Sequence, residues 1–385
     1  MSGPDSKVIF LIKDVIIQPK DSNMSETQLK FTAIVQQTKE IPKFVCPSAK
    51  NTSYVKYGED NNFPDYLWDL FKNSSQMSSI IQQMKDYIIG NGIESDFPLK
   101  VVNRKGDTFN LFIEKIVMSY LIYGGFAYQI IRNKLGEVKE LYCLDFRYVR
   151  TNEDEDTIYY SKEWSKGRRT PIVYPRCTVG SKLPDSVFYY KGKLTTEVYP
   201  MPMYMAALTS LEISTQIPAY HLGNLNNGFN PSVLINFNNG GNLPENVMNE
   251  IEEKVNEKFS GTENAGRILL SFNDDKEHST EMMRLPSDGL VDQYNTLADK
   301  VEKDIYTAFR INRVLLGDSS NETGFSKQPY IEAFSLYQKS VVGPIQAEIE
   351  EVVNNILGDG SLHFDRFTID WSEYGADEDN SNIIQ

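Results

Sequence analysis

The hydrophobic positions of the chain change period several times, and each change predicts an element. Residues 8–17 and 29–36 are dense in β-branched and aromatic side chains, with Pro19, Asn23 and Ser25 between them, which predicts two strands joined by a loop. After a polar stretch at 51–62, Pro64 stands where it can open a helix, and Tyr66, Leu67, Leu70 and Phe71 follow at helical spacing. Ile80, Met84, Tyr87 and Ile88 continue that spacing until Gly90-Asn91-Gly92 halts it. A third helix is predicted over 108–122, through Phe109, Phe112, Ile113, Ile116, Val117, Tyr120 and Leu121. At Gly124-Gly125 the period falls to two, which predicts strands at 126–132, 137–144 and 147–150. With Asn133-Lys134-Leu135-Gly136 as a hairpin turn, these three read as a small meander.

Residues 151–200 are polar, rich in tyrosine and punctuated by proline, which predicts further short strands and an exposed acidic loop at Asn152–Asp156. Residues 202–227 turn helical, with Tyr204, Ala207, Leu208, Leu211, Ile217, Tyr220, His221 and Leu225 as candidate buried positions and Pro218 as a kink. A small α/β stretch follows: a strand at 232–237, a helix at 244–259, and strands at 268–272 and 282–285. Residues 290–311 form a helix with Leu290, Tyr294, Leu297, Val301, Ile305 and Ala308 along one stripe. The polar segment 317–328 predicts a mobile loop between helices. The last helix spans 329–357, with Phe334, Tyr337, Val341, Ile345, Ile349, Val352 and Ile356 facing inward and Pro344 kinking it. Residues 359–385 hold seven acids against one base and read as an acidic tail.

This alternation of helical and strand blocks gives an α+β class, and 385 residues exceed what one small core can use, so several packed units are expected. With charged residues at 24% and hydrophobic residues at 40%, disorder is excluded as a description of the whole chain. A net charge of −14 opposes any function that grips nucleic acid through its phosphates. Cys46, Cys143 and Cys177 share no CxxC spacing, and an odd number argues against a disulfide framework, so a reducing compartment is expected. Lys13 and Asp14 break the apolar run at 8–17, which is therefore neither a membrane span nor a signal peptide, and a soluble protein with no membrane partner is expected.

Candidate chemistry is sparse. Gly261 and Gly266 have the spacing of a phosphate loop, but Arg267 and Ile268 replace the lysine and the magnesium-binding hydroxyl, and the segment leads into a strand, so it reads as a turn. Asp274, Asp275, Glu277 and His278 read as a solvated charge run in preference to a hard-cation site. His221 has no partner histidine at metal spacing and is assigned no role. There is no GxSxG elbow for a nucleophilic serine. The 22 tyrosines could stack single-stranded bases only beside cations, and Lys162, Lys166, Arg168 and Arg169 supply the one local basic cluster, so protein contact is the preferred reading. No catalytic, cofactor-binding or metal-binding residue is assigned, and no cofactor is expected.

Several segments nevertheless share a specific pattern. The run Tyr123-Gly124-Gly125-Phe126-Ala127-Tyr128-Gln129-Ile130-Ile131-Arg132-Asn133-Lys134-Leu135-Gly136-Glu137-Val138, with Leu141 and Leu144-Asp145, resembles a hairpin of the portal proteins of tailed bacteriophages. In matching order come Asn227-Gly228-Phe229-Asn230-Pro231-Ser232, then Phe259-Ser260-Gly261 with Asn264-Ala265-Gly266-Arg267, then Ala308-Phe309-Arg310-Ile311 before Leu315-Leu316-Gly317. Phe334, Tyr337, Pro344-Ile345 and Ile349-Glu350 resemble the family's closing helix, and the resemblance spans about residues 51–357.

The resemblance implies a portal-type architecture. Residues 1–200 would be mainly wing (1–45 an unmatched N-terminal arm), 202–227 a stem helix, 229–286 a small α/β clip and 288–311 the return stem helix. Residues 312–328 would be the tunnel loop and 329–358 a closing wing and crown-like helical segment, with 359–385 an acidic tail. It further implies a ring, usually of twelve copies, at one vertex of the virion capsid, assembled in the host cytoplasm for packaging and ejecting double-stranded DNA. The implied partners are other copies of the chain, the terminase large subunit, the major capsid protein and a head–tail adaptor; the DNA is read without sequence specificity. Ser319, Ser320, Asn321 and Lys327 would meet DNA, and Arg267 would contact the motor. An enzyme is not expected; the competing readings are a metal-dependent hydrolase or nuclease, resting on acidic abundance alone, and another capsid or neck adaptor.

Overall fold

The computed structural model describes residues 41–47, 53–164, 170–226, 233–237, 268–272, 290–317, 327–358 and 360–368. The expected strands at 8–17, 29–36 and 282–285, and the expected helix at 244–259, lie outside those residues. The chain divides into Met1–Ile41 and Pro42–Gln385, and every element below belongs to the second unit.

Helix α1 (Phe63–Asn73) and helix α2 (Ser75–Ile89) meet at Ser74, whose extended backbone closes the first and whose Oγ accepts from the Met77 amide at 3.3 Å to cap the second. Helix α3 (Phe109–Tyr123) is capped by Thr108 and buries Phe109, Phe112, Ile113, Ile116, Val117, Leu121 and Ile122. Its mostly apolar surface fits a helix with neighbours on several sides, packing on α1, on α2 and on strands β2 (Phe126–Arg132) and β3 (Val138–Leu144).

The sheets depart from the expected meander. Strand β2 is central, with β3 on one side and β7 (Asp185–Tyr190) on the other, both antiparallel. Residues 147–150 do not join them. The Asp145 carboxylate accepts from the Arg147 amide at 3.1 Å and starts a 3-10 turn at Phe146–Tyr148, which carries the chain out of that sheet. A second antiparallel sheet follows, β4 (Val149–Thr151), β5 (Thr157–Tyr160) and β6 (Ile172–Pro175), with Asn152–Asp156 as the β4–β5 connection. Local turn chemistry thus took Arg147 and Tyr148 out of the expected strand, while Val149 and Arg150 do form a strand, in a different sheet.

Two devices join helices to sheets. At Gly124-Gly125 the chain passes from α3 into β2 under two other segments: a Cβ on Gly124 (φ +79°) would sit 2.5 Å from the Met201 carbonyl, and one on Gly125 2.4 Å from the Tyr190 carbonyl. Second, Arg150 is fully buried and spreads its guanidinium over acceptors at Asn61 Oδ1 (2.5 Å), the Asn61 carbonyl (2.6 Å), the Val149 carbonyl (2.7 Å) and the Arg147 carbonyl (2.9 Å). Those bonds replace the lost water, though desolvation still lowers its pKa from the ordinary arginine value. Beside it Tyr57 and Tyr199 stack with centroids 4.2 Å apart, and their hydroxyls donate to the Pro200 and Val55 carbonyls.

Helix α4 (Leu208–Asn226) begins later than expected, after a 3-10 turn at Met205–Ala207, and contains Pro218. It packs against helix α5 (Leu290–Ala308), and Tyr204 stacks on Phe309 at 4.9 Å, so the start of one lies beside the end of the other and the pair is antiparallel. Between them in sequence, strands β8 (Val233–Phe237) and β9 (Ile268–Phe272) pair in parallel, which requires a crossover that residues 238–267 are long enough to supply. On α5, Val301 and Ile305 are buried as expected, whereas Leu297, placed on the same stripe, is 39% exposed.

The expected helix at 329–357 starts earlier and is broken. Helix α6 (Lys327–Tyr337) passes through a π-turn at Gln338–Val342 into helix α7 (Gly343–Leu357). Pro344 has no N–H for the Ser340 carbonyl, and Arg310 donates to that carbonyl at 3.3 Å. The segment expected as a tail is also partly ordered into the fold: β10 (His363–Asp365) pairs antiparallel with β1 (Gly92–Glu94), and Leu362 and Phe364 are buried.

Gly124→Ala should destabilise the fold by about 2 kcal/mol or more, the cost of a left-handed non-glycine residue plus a carbonyl clash. A urea midpoint unchanged from the parent would contradict the crossing.

Candidate functional site

The two chain ends that flank residues 318–326 converge on one side chain. Helix α5 closes in a Schellman motif: the Arg310 amide donates to Thr307 and the Ile311 amide to Tyr306, each at 3.1 Å. Arg310 occupies the left-handed position (φ 55°) that glycine usually fills. Asn312 then caps a 3-10 turn at Arg313–Leu316, ended by Gly317 in the left-handed region. Leu315 is buried, and its carbonyl accepts from the Tyr87 hydroxyl at 3.4 Å.

On the far side, Tyr330 of α6 places its hydroxyl 3.3 Å from that of Tyr87. With Tyr87 donating to Leu315, Tyr330 donates to Tyr87. The rings of Phe334 and Tyr337 meet Tyr87 edge-on at 5.6 and 6.0 Å. Burial, then the Tyr330 bond, push the Tyr87 phenol well above its ordinary pKa, so it remains a neutral donor throughout the physiological range. Glu302 and Arg313 pair at 3.1 Å, and the Arg313 guanidinium also lies over Tyr306, bracing the turn from α5.

The tyrosines expected as contact residues mostly work inside. Tyr189 is buried and donates to the Val198 carbonyl at 2.8 Å; Tyr190 and Tyr120 both donate to Glu348 Oε1, at 2.6 and 3.2 Å. A cavity of about 300 Å³ between Met201, Met203, Arg310, Pro344 and Glu348 adjoins the Schellman turn. A groove of about 830 Å³ is lined by Trp68, Phe71, Leu111, Met118 and Phe146. Cys143 lies along it, and burial pushes that thiol up to about 12, which removes it as a nucleophile at neutral pH. Among the described residues, no group of three or more His, Cys, Asp or Glu side chains could hold a metal ion. No helix among them is long and apolar enough to cross a membrane.

Of the residues singled out in the sequence, Lys327 is the first residue of α6 and so belongs to a helix start. Ser319, Ser320, Asn321, Arg267 and the cluster at 274–278 lie outside the described residues, as do 165–169 of the basic patch. Ile268, in the position of the phosphate-loop hydroxyl, is the first residue of β9, so the glycine segment does enter a strand. His221 lies in α4. Tyr87 itself was legible only as one apolar position of a helix; nothing in the sequence pattern distinguishes it from Met84 or Ile88.

Comparison with known proteins places this arrangement. The family model described as phage portal protein matches residues 99–380, which contain α3 to α7 and all strands but β1. The chain belongs to the phage portal family. Two solved structures agree in fold: a chain of the virion of a native gene transfer agent particle aligns with TM-score 0.54 and 17% identity, over 83% of this chain and 92% of that one. A chain of the native particle's neck, computed with C12 symmetry, aligns with TM-score 0.51 and 16% identity, over 83% and 91%. An HK97-family phage portal protein from Corynebacterium diphtheriae aligns over 77% and 94%, with 13% identity and TM-score 0.46. No curated protein matches.

Tyr87→Phe removes one hydroxyl and leaves the ring packing, so it should lower stability by about 1 kcal/mol, whereas Tyr87→Ala should cost about 3–5 kcal/mol. Chemical denaturation of both variants measures the difference; equal losses would mean that the hydroxyl network, not the ring, holds the junction.

Proposed function

We propose that this chain is the subunit of a portal ring, a channel at one capsid vertex through which double-stranded DNA is packaged and ejected. The family match over residues 99–380 carries this reading. On it, residues 1–200 form most of the wing, α4 and α5 the stem, and 229–286 the clip. Residues 312–328 form the tunnel loop, and 329–358 the closing wing and crown-like segment. A neck assembly similar in fold was computed with C12 symmetry, which supports a ring of twelve copies.

The charge fits a conduit. Each copy carries −14, and a wall of the same sign as DNA offers few phosphate ion pairs to arrest a moving duplex. Ser319, Ser320 and Asn321 make weak, exchangeable contacts, with Lys327 at the helix start behind them. The chain supplies passage and not energy: hydrolysis belongs to the terminase large subunit, which docks on the clip with Arg267 in the contact, while the head–tail adaptor follows at the same end. The major capsid protein surrounds the ring in the virion, after assembly in the host cytoplasm.

Negatively stained images of the purified chain should show rings with a central hole, and native mass should give about twelve copies; a strict monomer at every concentration and ionic strength overturns the proposal. Equilibrium dialysis should detect no ATP binding, and Arg267→Ala should leave rings intact yet weaken motor docking. Heads assembled with Ser319, Ser320 and Asn321 all changed to Gly should package shorter or poorly retained DNA. Unchanged length and retention would remove residues 319–321 from the DNA path.

A further inference from the structure

The segment at 360–368 is fastened by bonds that differ from ordinary strand pairing. Asn354 brackets Leu362, its Nδ2 donating to the Leu362 carbonyl at 2.9 Å and its Oδ1 accepting from the Leu362 amide at 2.8 Å. Glu350 Oε1 accepts from the Phe364 amide at 2.6 Å and faces His363 Nδ1 at 3.2 Å. Ser95 donates to the Ser361 carbonyl, and Asn91 to the carbonyls of Asp365 and Arg366. Where α2 ends, a Cβ on Gly90 would lie 2.1 Å from the Asp365 carbonyl, so the strand rests backbone on backbone against the last turn carrying Tyr87.

Past that contact the chain delivers Phe367 into the cluster that holds the two loop flanks. Its ring lies 6.0 Å from Tyr87 and 5.7 Å from Phe334. Phe367 is half-buried, and a cavity of about 300 Å³ bounded by Lys85, Tyr87, Ile89, Glu114 and Phe367 leaves it room on one side. Three stretches, 309–317, 327–337 and 360–368, therefore share one aromatic junction. The first two both touch Tyr87, and the third contributes a ring that borders a cavity.

We propose that residues 360–368 act as a clasp: with Phe367 seated, Tyr87 and Phe334 are confined and both flanks, 309–317 and 327–337, are held; with Phe367 withdrawn, both loosen. Any force or partner acting on the chain beyond residue 368 then reaches the flanks through this ring. The inference stands on the packing alone and does not need the DNA-channel reading.

Hydrogen exchange on the full-length protein tests it without DNA. Phe367→Leu should raise exchange in 309–317 and 327–337 about tenfold while 126–144 keeps its protection. Because coupling is reciprocal, Phe334→Leu should raise exchange in 361–367 by a similar factor. Loosening confined to 361–367 in the first variant, or protection kept there in the second, overturns the clasp. So does a uniform loss that includes 126–144, which would make Phe367 an ordinary core residue.

Discussion

The architecture depends on a backbone crossing that tolerates no side chains. Gly124 and Gly125 let the end of α3 pass within van der Waals contact of the Met201 and Tyr190 carbonyls, and Gly192 is packed equally close to the Gly124 carbonyl. Because α3 lies against both other N-terminal helices and β2 is the central strand of its sheet, that crossing seats the sheet on the helices. The segment it admits, 190–202, leads directly to Tyr204 and α4, so the position of the α4–α5 pair is inherited from the same contact.

The interior built around this crossing is more polar than its apolar helices suggest, and it works because the polar groups named here meet partners. Tyr57, Tyr189, Tyr199 and Tyr204 are all buried, and each donates its hydroxyl to a backbone carbonyl on another segment. Arg150 does the same with several donors at once. A neutral phenol or a delocalised guanidinium can tie loops that have no regular pairing, since it carries both apolar area and a directed bond. These four tyrosines thus serve as a means of fastening irregular chain.

In this chain of the portal family the sheets and the flanks of 318–326 are held by different sets of contacts. The crossing and the Arg150 cluster fix the sheets on α1 to α3, while the segments that lead to and from 318–326 meet at one phenol at the end of α2 and are braced beside it by the Glu302–Arg313 pair and the Arg310–Ser340 bond.

Local rules written in the sequence were sufficient for the first three helices: Pro64, Thr108, Gly90 and Gly124 set starts and stops, and the hairpin at 126–144 follows from its turn residues. The glycine pair and the Asn-Lys-Leu-Gly turn also carried the family resemblance, because backbone geometry at those positions restricts the choice of residue. The partner of β2 was not legible, since Asp185–Tyr190 lies some fifty residues away and pairing across such distance is set by which face is buried. The same holds for His363–Asp365, whose acidic surroundings hide two buried apolar residues, and for Tyr87, an unremarkable helical position whose neighbours come from 315, 330, 334, 337 and 367. Periodicity and caps are properties of a few consecutive residues and survive in the sequence; convergence of distant segments on one ring exists only once the chain has packed, and the tertiary structure alone decided it.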